Sequence, residues 1–298
     1  MRLGTTTSLF ARRRDGSRVS YEDQLKACRE AGFTAVELDF STSADPKNTE
    51  DTLARDDWEA ETERIGEALS RFGLEASQAR APFIDTLFTA GASPSEEEKA
   101  RLSEMLSRTV KACGRLGVKE LVLRPLNDSI NTEYDTEVIV RTNRDFYLPF
   151  AESASSHGTG IVFENMYELD MAVWTRTFCT SVDDLILLTD SFGDLNAGVC
   201  WDFGHAHQLF ADQGAALRRA GGLVRATHVY DTSNARTAHL IPFVGNIKWE
   251  KLVPVLRDTG YKGDFVLSSE EFMNDMPDAL RADAAKIAYD FGAYCMGL

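Results

Sequence analysis

Residues Asn196–His207, NAGVCWDFGHAH, combine a short apolar run with a carboxylate at its end. The run Ala197–Trp201 has the length of a buried strand, and Asp202 follows it directly, just before Gly204. A carboxylate at the end of a buried strand is costly in free energy unless a cation or a hydrogen-bond donor receives it. The stretch therefore predicts a strand that delivers Asp202 to a polar site.

The same pattern occurs once before this stretch and once after it. GIVFENM places Glu164 at the end of an apolar run, and VRATHVYD places His228 in the equivalent position. If the three runs are neighbouring parallel strands, their carboxyl ends meet, and the two carboxylates and the imidazole converge. This oxygen-rich set predicts a site for one divalent cation. It favours Mn²⁺, with Mg²⁺, Co²⁺ or Zn²⁺ as alternatives.

Short β-like runs alternate with amphipathic helical runs along the whole chain, giving eight strand–helix units. This alternation predicts an α/β fold, a (β/α)8 TIM barrel, which we expect to be a single domain over residues 1–298. A doubly wound open sheet is the alternative, but TTTSLF after the first strand lacks the glycine-rich phosphate loop typical of that fold. The longer connections follow strands, so the chemistry is predicted at the carboxyl-terminal face of the barrel.

Local signals set the expected boundaries of several elements. Ser20-x-x-Asp23 predicts a capped helix start, and Gly32 predicts the end of that helix. A further helix is predicted over about 143–157, and the eighth strand is predicted over DFVLSSEEF, residues 264–272.

Composition limits the classes of function. The chain carries 47 acidic and 32 basic residues, a formal net charge of −15, which disfavours a nucleic-acid partner. The sequence has no apolar run of about 18 residues, so we expect no membrane partner and no signal peptide. The five cysteines, an odd number without a CxxC pair, are expected to pack in the core of a cytoplasmic protein.

Several motifs together resemble a known family. They are ENM at Glu164, WDFGHAH at 201–207, HVYD at 228–231 and HLIPFVGNIKW at 239–249. The series is similar to the xylose isomerase-like superfamily of sugar phosphate isomerases and epimerases. Its members include ketose 3-epimerases, hydroxypyruvate isomerases and inosose-processing enzymes. The resemblance covers nearly the whole chain and implies a TIM barrel.

The resemblance also implies a set of metal ligands: Glu164, Asp202, His228 and a glutamate of the eighth strand. The family usually places that glutamate five residues after the glycine that opens the strand, but counting from Gly263 leads to Ser268. Because side chains alternate along a strand, Ser268 and Glu270 would share a face, whereas Glu271 would point the other way. Glu270 is therefore the candidate fourth ligand, and a solvated helix start is the alternative for both glutamates.

Two arginines are predicted near the same face. Arg80, in QARAP, stands where relatives often have a histidine, and Arg124, in LRP, ends the fourth strand. Guanidinium groups there would bind a carboxylate, a phosphate or sugar hydroxyls of a substrate. Ion pairs with acids such as Glu37 or Asp39 are the alternative.

Three further residues are candidate substrate contacts. The resemblance implies that His205 contacts substrate oxygens. Tyr167 and Trp174 lie on a connection that follows a strand and would form an apolar wall against a sugar ring, with packing as the alternative.

The leading functional hypothesis is a metal-dependent isomerase or epimerase acting on a small carbohydrate. Glu164 and Glu270 would remove and return a proton through an enediolate, and His205 and Arg124 would stabilise the developing oxyanion. A lyase or dehydratase acting on a keto-sugar or keto-inositol would use the same metal-enolate chemistry.

Two remoter hypotheses remain. One is a phosphodiesterase like endonuclease IV, which would need more histidines and a basic groove. The other is a non-catalytic or partner-dependent barrel, which would follow if the strand-eight departure has removed catalysis. By analogy with relatives, the chain is expected to form a homodimer or homotetramer.

Overall fold

The computed structural model describes residues 1–85, 95–127, 134–168, 176–195, 197–233, 239–274 and 276–298. Eight parallel strands alternate with helices along these residues. In chain order the strands are β1 (Leu3–Thr6), β2 (Ala35–Asp39), β3 (Glu75–Arg80), β4 (Glu120–Leu123), β5 (Gly160–Glu164), β6 (Gly198–Asp202), β7 (Val224–His228) and β8 (Phe265–Leu267).

The sheet closes into a barrel. The strands pair in the order β7-β6-β5-β4-β3-β2-β1-β8. The two ends of this order meet just beyond β7, where the amide of Val229 donates to the carbonyl of Val266 at 2.8 Å. The amide of Ser268 in turn donates to the carbonyl of Val229 at 2.9 Å. The (β/α)8 barrel predicted from the sequence is therefore confirmed.

Helices cover the outside of the barrel. Within the described residues they are α1 (Tyr21–Ala31), α2 (Trp58–Phe72), α3 (Glu96–Leu116), α4 (Thr136–Ser156), α5 (Val182–Asp190), α6 (Phe203–Leu209), α7 (Gln213–Ala220), α8 (Trp249–Asp258), α9 (Glu270–Asn274) and α10 (Arg281–Gly297). None of the helices in these ranges is long and apolar enough to cross a bilayer.

The boundaries of α1 follow the sequence signals. The hydroxyl of Ser20 accepts a hydrogen bond from the amide of Asp23, which satisfies one of the free N–H groups of the first turn. The helix ends at Gly32, whose φ of 114° is a conformation that residues with a side chain rarely adopt. Both predicted signals are confirmed.

Two predicted boundaries are wrong. Helix α4 begins at Thr136 rather than near Asn143, because the Asp135 carboxylate caps it by accepting from the amides of Glu137 and Val138. Strand β8 ends at Leu267 instead of running through 264–272, and helix α9 begins at Glu270. Acidic side chains in a first helical turn are favoured by the helix dipole, which explains the pair of glutamates there.

The barrel interior is apolar beneath the carboxyl-terminal ends of β4, β5, β6 and β7. Val162, Cys200 and Ala226 pack together in one buried cluster, joined by Val122 from β4. Each of the first three lies two residues before Glu164, Asp202 or His228 respectively, and side chains two apart on a strand share a face. The cluster therefore forms an apolar floor beneath those polar residues. All five cysteines are buried and unpaired, as expected for core packing.

The segment after β7 is tied to the barrel by Asp231. Its buried carboxylate accepts from the amides of Thr232, Phe243 and Ile247 at 2.8, 2.9 and 3.0 Å, and from the indole Nε1 of Trp249 at 2.9 Å. Gly245 lies so close that a Cβ there would be 2.3 Å from Asp231 Oδ1. This packing fixes the part of HLIPFVGNIKW that carries His239.

Candidate active site at the barrel mouth

Glu164, Asp202 and His228 are the last residues of three adjacent strands, β5, β6 and β7. All three are buried, at 1%, 1% and 0% exposure. Nδ1 of His228 is hydrogen-bonded to Oε1 of Glu164 and lies 3.8 Å from Oδ2 of Asp202. The strand ends thus bring the three side chains together at the carboxyl-terminal end of the barrel, which we call the barrel mouth.

The ring of His228 lies between two buried carboxylates. Its Nδ1 faces Glu164, and its Nε2 is 2.7 Å from Oε2 of Glu37, a residue of β2. Burial lowers the pKa of His228, but the neighbouring Cys200, Glu37 and Glu164 outweigh burial and raise that pKa well above its ordinary value. Burial likewise raises the pKa of Glu164, yet His228 and Arg80 hold it well below the ordinary value.

The two carboxylate oxygens of Asp202 differ in their hydrogen bonding. Oδ1 accepts from the amide of His205 at 2.8 Å and so caps helix α6. Oδ2 is buried and has no hydrogen-bond partner among the described residues. The backbone of Asp202 is fixed by the side chain of Asn165, which accepts from its amide at 2.7 Å and donates to its carbonyl at 3.0 Å. A buried, rigidly held carboxylate oxygen without a donor is suited to receive a cation.

His205 lies beside Asp202, with its Nδ1 3.5 Å from Oδ2 of that carboxylate. Its Nδ1 is 2.8 Å from the backbone carbonyl of Asn165, which only accepts, so Nδ1 carries the proton and donates it. Burial lowers the pKa of His205 in spite of the nearby Asp202 and Glu164, and the ring is therefore neutral at pH 7 with a lone pair on Nε2. A side-chain hydrogen bond that fixes the tautomer in this way is usual for histidines that bind metals.

These donors suit a divalent cation. One ligand atom each from Glu164, Asp202 and His205 lies within 4.8 Å of the other two, and all three residues are buried. The unpartnered Oδ2 of Asp202 and the neutral ring of His205 supply the lone pairs that a cation needs. Two of the four predicted ligands, Glu164 and Asp202, belong to this group, and His205 is a further possible donor, so the residues present fit a divalent cation. The ligand roles of His228 and Glu270 stay predictions.

Arg80 lies inside the mouth at the end of β3. Its Nη2 is 3.2 Å from Nδ1 of His228 and 3.8 Å from Oε1 of Glu164, and its Nε is 3.9 Å from Oε1 of Glu37. The side chain is only 12% exposed. The alternative foreseen for Arg80, an ion pair with Glu37, is thus present, and the role of Arg80 towards a substrate stays a prediction.

Arg124 lies near the other carboxylate oxygen of Glu164. Its Nε donates to Oε2 of Glu164 at 3.4 Å, and its guanidinium lies 4.0 Å from the ring centroid of Phe83. The guanidinium thus lies over an aromatic ring while its Nε is directed at Glu164. This geometry suits binding of a substrate oxygen, which stays a prediction for Arg124.

Glu270 is held by a separate set of partners. Oε1 accepts from the hydroxyls of Ser8 and Ser268 at 2.6 and 3.1 Å, and Oε2 is 2.9 Å from Nδ1 of His239. Burial raises the pKa of Glu270, but His239, Arg80 and Ser8 outweigh burial and lower that pKa below its ordinary value. The His239 ring stacks on Tyr230 with centroids 3.9 Å apart. The metal-ligand and catalytic roles of Glu270 stay predictions.

The two predicted aromatic contacts have different outcomes. The Tyr167 ring packs against the His205 ring, with centroids 4.4 Å apart, and its role as a wall against a sugar ring stays a prediction. Trp174 lies outside the described residues. Sequence reasoning gave Glu37 and Asn165 no role in positioning the cluster. The sequence does carry a signal for Glu37, because this acid interrupts the strand AVELD directly after two apolar residues, Ala35 and Val36.

The fold and the mouth define a class before any comparison: a (β/α)8 barrel with a buried carboxylate–histidine cluster at the carboxyl ends of β5–β7. The family follows from the sequence comparison. The chain belongs to the xylose isomerase-like TIM barrel family, whose model matches residues 25–289.

A curated relative from Sinorhizobium fredii, named "Uncharacterized protein y4fM", is 25% identical over 162 residues. The match covers 53% of this chain and 50% of the relative, so the chain spans about half the length of the curated relative it matches.

Several solved structures share the fold over nearly the whole chain. D-psicose 3-epimerase from Clostridium cellulolyticum H10, crystallised with D-tagatose, has a TM-score of 0.72 at 15% identity and covers 99% of both chains. L-ribulose 3-epimerase has a TM-score of 0.74 at 18% identity and covers 99% of this chain and 94% of its own. The IOLI protein with a bound zinc atom has a TM-score of 0.75 at 16% identity and covers 100% and 98%. At these identities the likeness shows the fold.

Proposed function

We propose that the protein is a metal-dependent isomerase or epimerase that acts on a small polyhydroxy ketone. The observation that carries this proposal is the cluster of Glu164, Asp202 and His205, whose ligand atoms lie within 4.8 Å of one another at the barrel mouth. Several similar folds belong to proteins described as ketose 3-epimerases, which supports a carbohydrate substrate.

The cation would be held by Glu164, Asp202 and His228, with His205 as a further donor and Glu270 as the fourth ligand predicted from the sequence. The oxygen-rich set favours Mn²⁺, and Mg²⁺ and Co²⁺ are the next candidates. Zn²⁺ is a further candidate because a protein of the same fold has a bound zinc atom. When bound, the cation would polarise the substrate carbonyl and make the adjacent C–H more acidic.

Glu164 is the proposed base. His228 and Arg80 keep its carboxylate ionised in spite of burial, so one of its oxygens can take a proton from the substrate carbon. Glu270 would return a proton on the opposite side. Its proton would come from Nδ1 of His239, which lies 2.9 Å from Oε2 and 2.7 Å from the backbone carbonyl of Ser268. The Glu270 carboxylate raises the pKa of His239 above its ordinary value in spite of burial.

The tautomer of His205 revises its expected role. Because Nδ1 carries the proton, Nε2 accepts, so the ring would receive a hydrogen bond from a substrate hydroxyl or bind the cation rather than donate to an oxyanion. Stabilisation of developing negative charge would then fall to the guanidinium of Arg124, a permanent donor near Glu164.

The test combines metal content with proton exchange. Purified wild type and Asp202→Asn are analysed for bound metal and then incubated with a panel of free and phosphorylated ketoses in deuterated water, with NMR as the readout. We expect about one equivalent of a divalent metal in wild type only, and deuterium uptake beside the carbonyl of at least one sugar. Loss of water from the substrate instead would identify a dehydratase. Several equivalents of zinc without exchange, or no metal and no exchange, would contradict the proposal.

A further inference from the structure

Glu37 is a buried carboxylate on a strand that does not adjoin β7. It is 0% exposed, and its Oε2 lies 2.7 Å from Nε2 of His228 and 2.6 Å from Nε2 of Gln78. In the barrel, β2 and β7 are separated by β1 and β8. The side chain of Glu37 therefore spans the barrel interior to reach the ring of His228.

Gln78 aims the Glu37 carboxylate. Glu37 and Gln78 are directly paired in the register of β2 and β3. The Gln78 amide donates to Oε2 of Glu37, and it also donates at 3.3 Å to the carbonyl of Thr227, the residue before His228. The Gln78 amide thus holds the Glu37 carboxylate and also the backbone next to His228.

We infer that Glu37 is a positioning residue for the metal site: its carboxylate accepts the Nε2 proton of His228, so that Nδ1, once a cation has displaced the proton it donates to Glu164, offers its lone pair to that cation. This inference rests on the proposed function. A carboxylate behind a ligating imidazole fixes the tautomer and the ring orientation and makes the ligand more basic. Since Nδ1 is the ring nitrogen that faces Glu164 and Asp202, it is the one placed to bind.

A purely structural role for Glu37, as the partner of Arg80, is a weaker account of the contacts. Arg80 Nε is 3.9 Å from Oε1 of Glu37, which is beyond hydrogen-bond length, and neither atom has a hydrogen-bond partner within the described part of the chain. The contact with His228 is direct and within 2.7 Å. The two roles differ in what they predict for metal affinity.

The first test is calorimetric titration of the metal-free protein with Mn²⁺ for wild type, Glu37→Gln, Glu120→Gln and Asp202→Asn. Glu37→Gln keeps the size and an acceptor but loses the charge, so the dissociation constant should rise about 10- to 100-fold. Glu120→Gln changes a carboxylate at the opposite end of the barrel and should leave the affinity unchanged. Asp202→Asn removes a direct ligand and should abolish binding.

Two different failures are distinguishable. If wild type binds Mn²⁺ and Asp202→Asn does not, but Glu37→Gln binds as tightly as wild type, the inference about Glu37 is wrong while the metal site stands. If wild type takes up no metal, the proposed function and the inference fall together.

The second test needs no variant at Glu37 and so does not depend on its folding. Nitrogen-15 NMR of the histidine rings in the Zn²⁺-loaded wild type should show His228 protonated at Nε2 and metal-bound at Nδ1, with the resonance assigned by comparison with His228→Gln. Metal bound at Nε2, or a proton on Nδ1, would overturn the inference.

Discussion

The two ends of the barrel treat buried charge differently. At the amino-terminal end each carboxylate faces an arginine: Arg225 donates to Glu120 at 2.8 Å, and Arg2 donates to Asp264 at 2.9 Å. At the mouth, Glu37 and Glu164 share one imidazole, and Oδ2 of Asp202 has no hydrogen-bond partner in the described ranges.

This difference separates stability from function. At the amino-terminal end each of these carboxylates has an arginine as a close ionic partner, so a ligand has less charge to compensate there. At the mouth the acids share their cationic partners, since Glu37 and Glu164 both depend on His228 and Arg80, and Oδ2 of Asp202 can still accept a cation or a polar substrate. Substitutions at the two ends should therefore have opposite profiles: loss of function at the mouth, and loss of stability at the amino-terminal end.

The largest effect is expected for Glu164→Gln. This variant keeps the shape of the side chain but removes the proposed base and a metal ligand, so the rate of deuterium exchange into the substrate should fall about 10²- to 10⁴-fold. The rate is followed by NMR on whichever ketose of the panel exchanges with the wild type. Glu120→Gln is the matched control at the other end and should keep the wild-type rate; an equal loss in both variants would mean that the two ends do not differ.

Arg225→Met should have the reverse profile. Glu120, which is largely buried, would lose its partner, and the free energy of unfolding should fall by about 3 kcal/mol, measured by urea denaturation. Affinity for Mn²⁺ should be unchanged. A weakened affinity with unchanged stability would break the comparison.

His239→Gln tests the pair with Glu270 through pH. The contribution of His239, whose pKa is raised by Glu270 against burial, is full below its ordinary value of 6.5 and is lost as pH rises through the raised pKa. The contribution of Glu270, whose pKa is lowered, is present above its ordinary value of 4.5 and is lost as pH falls. Without metal, the variant should be less stable by about 1–2 kcal/mol near pH 5.5.

This loss of stability should become smaller below the ordinary pKa of Glu270 and above the raised pKa of His239. Thermal unfolding from about pH 3.5 to about pH 9 would measure it. A deficit that does not change with pH would mean that His239 contributes through its stacking on Tyr230 and not through charge.

Arg124→Lys should have the smallest effect on stability. Lysine keeps the charge but loses the contact of the guanidinium with the Phe83 ring, so the free energy of unfolding should fall by about 0.5–1 kcal/mol. Chemical denaturation measures this change. If the substrate interaction needs the planar guanidinium, KM should rise while the affinity for Mn²⁺ stays as in wild type.

The sequence predicts most of this architecture because its signals are local. Apolar runs ending in Glu164, Asp202 and His228 identify strands and their order, and the barrel then brings the ends together. Strand β8 was overextended because two serines and two glutamates fit an alternating pattern as well as a helix start. The contact between Glu37 and His228 joins residues 191 positions apart across the barrel interior, and neither periodicity nor spacing reports such a pair.

The hydrogen bonds received by Asp231 have a consequence for motion. Because Asp231 holds the amides of Phe243 and Ile247 through its carboxylate and the amide of Leu240 through its backbone carbonyl, we expect the segment 240–247 to open as one unit. Its amide hydrogens should exchange with solvent as slowly as those of β7, in a single cooperative event. His239 would then be carried by the rigid scaffold and keep its distance to Glu270 through a catalytic cycle.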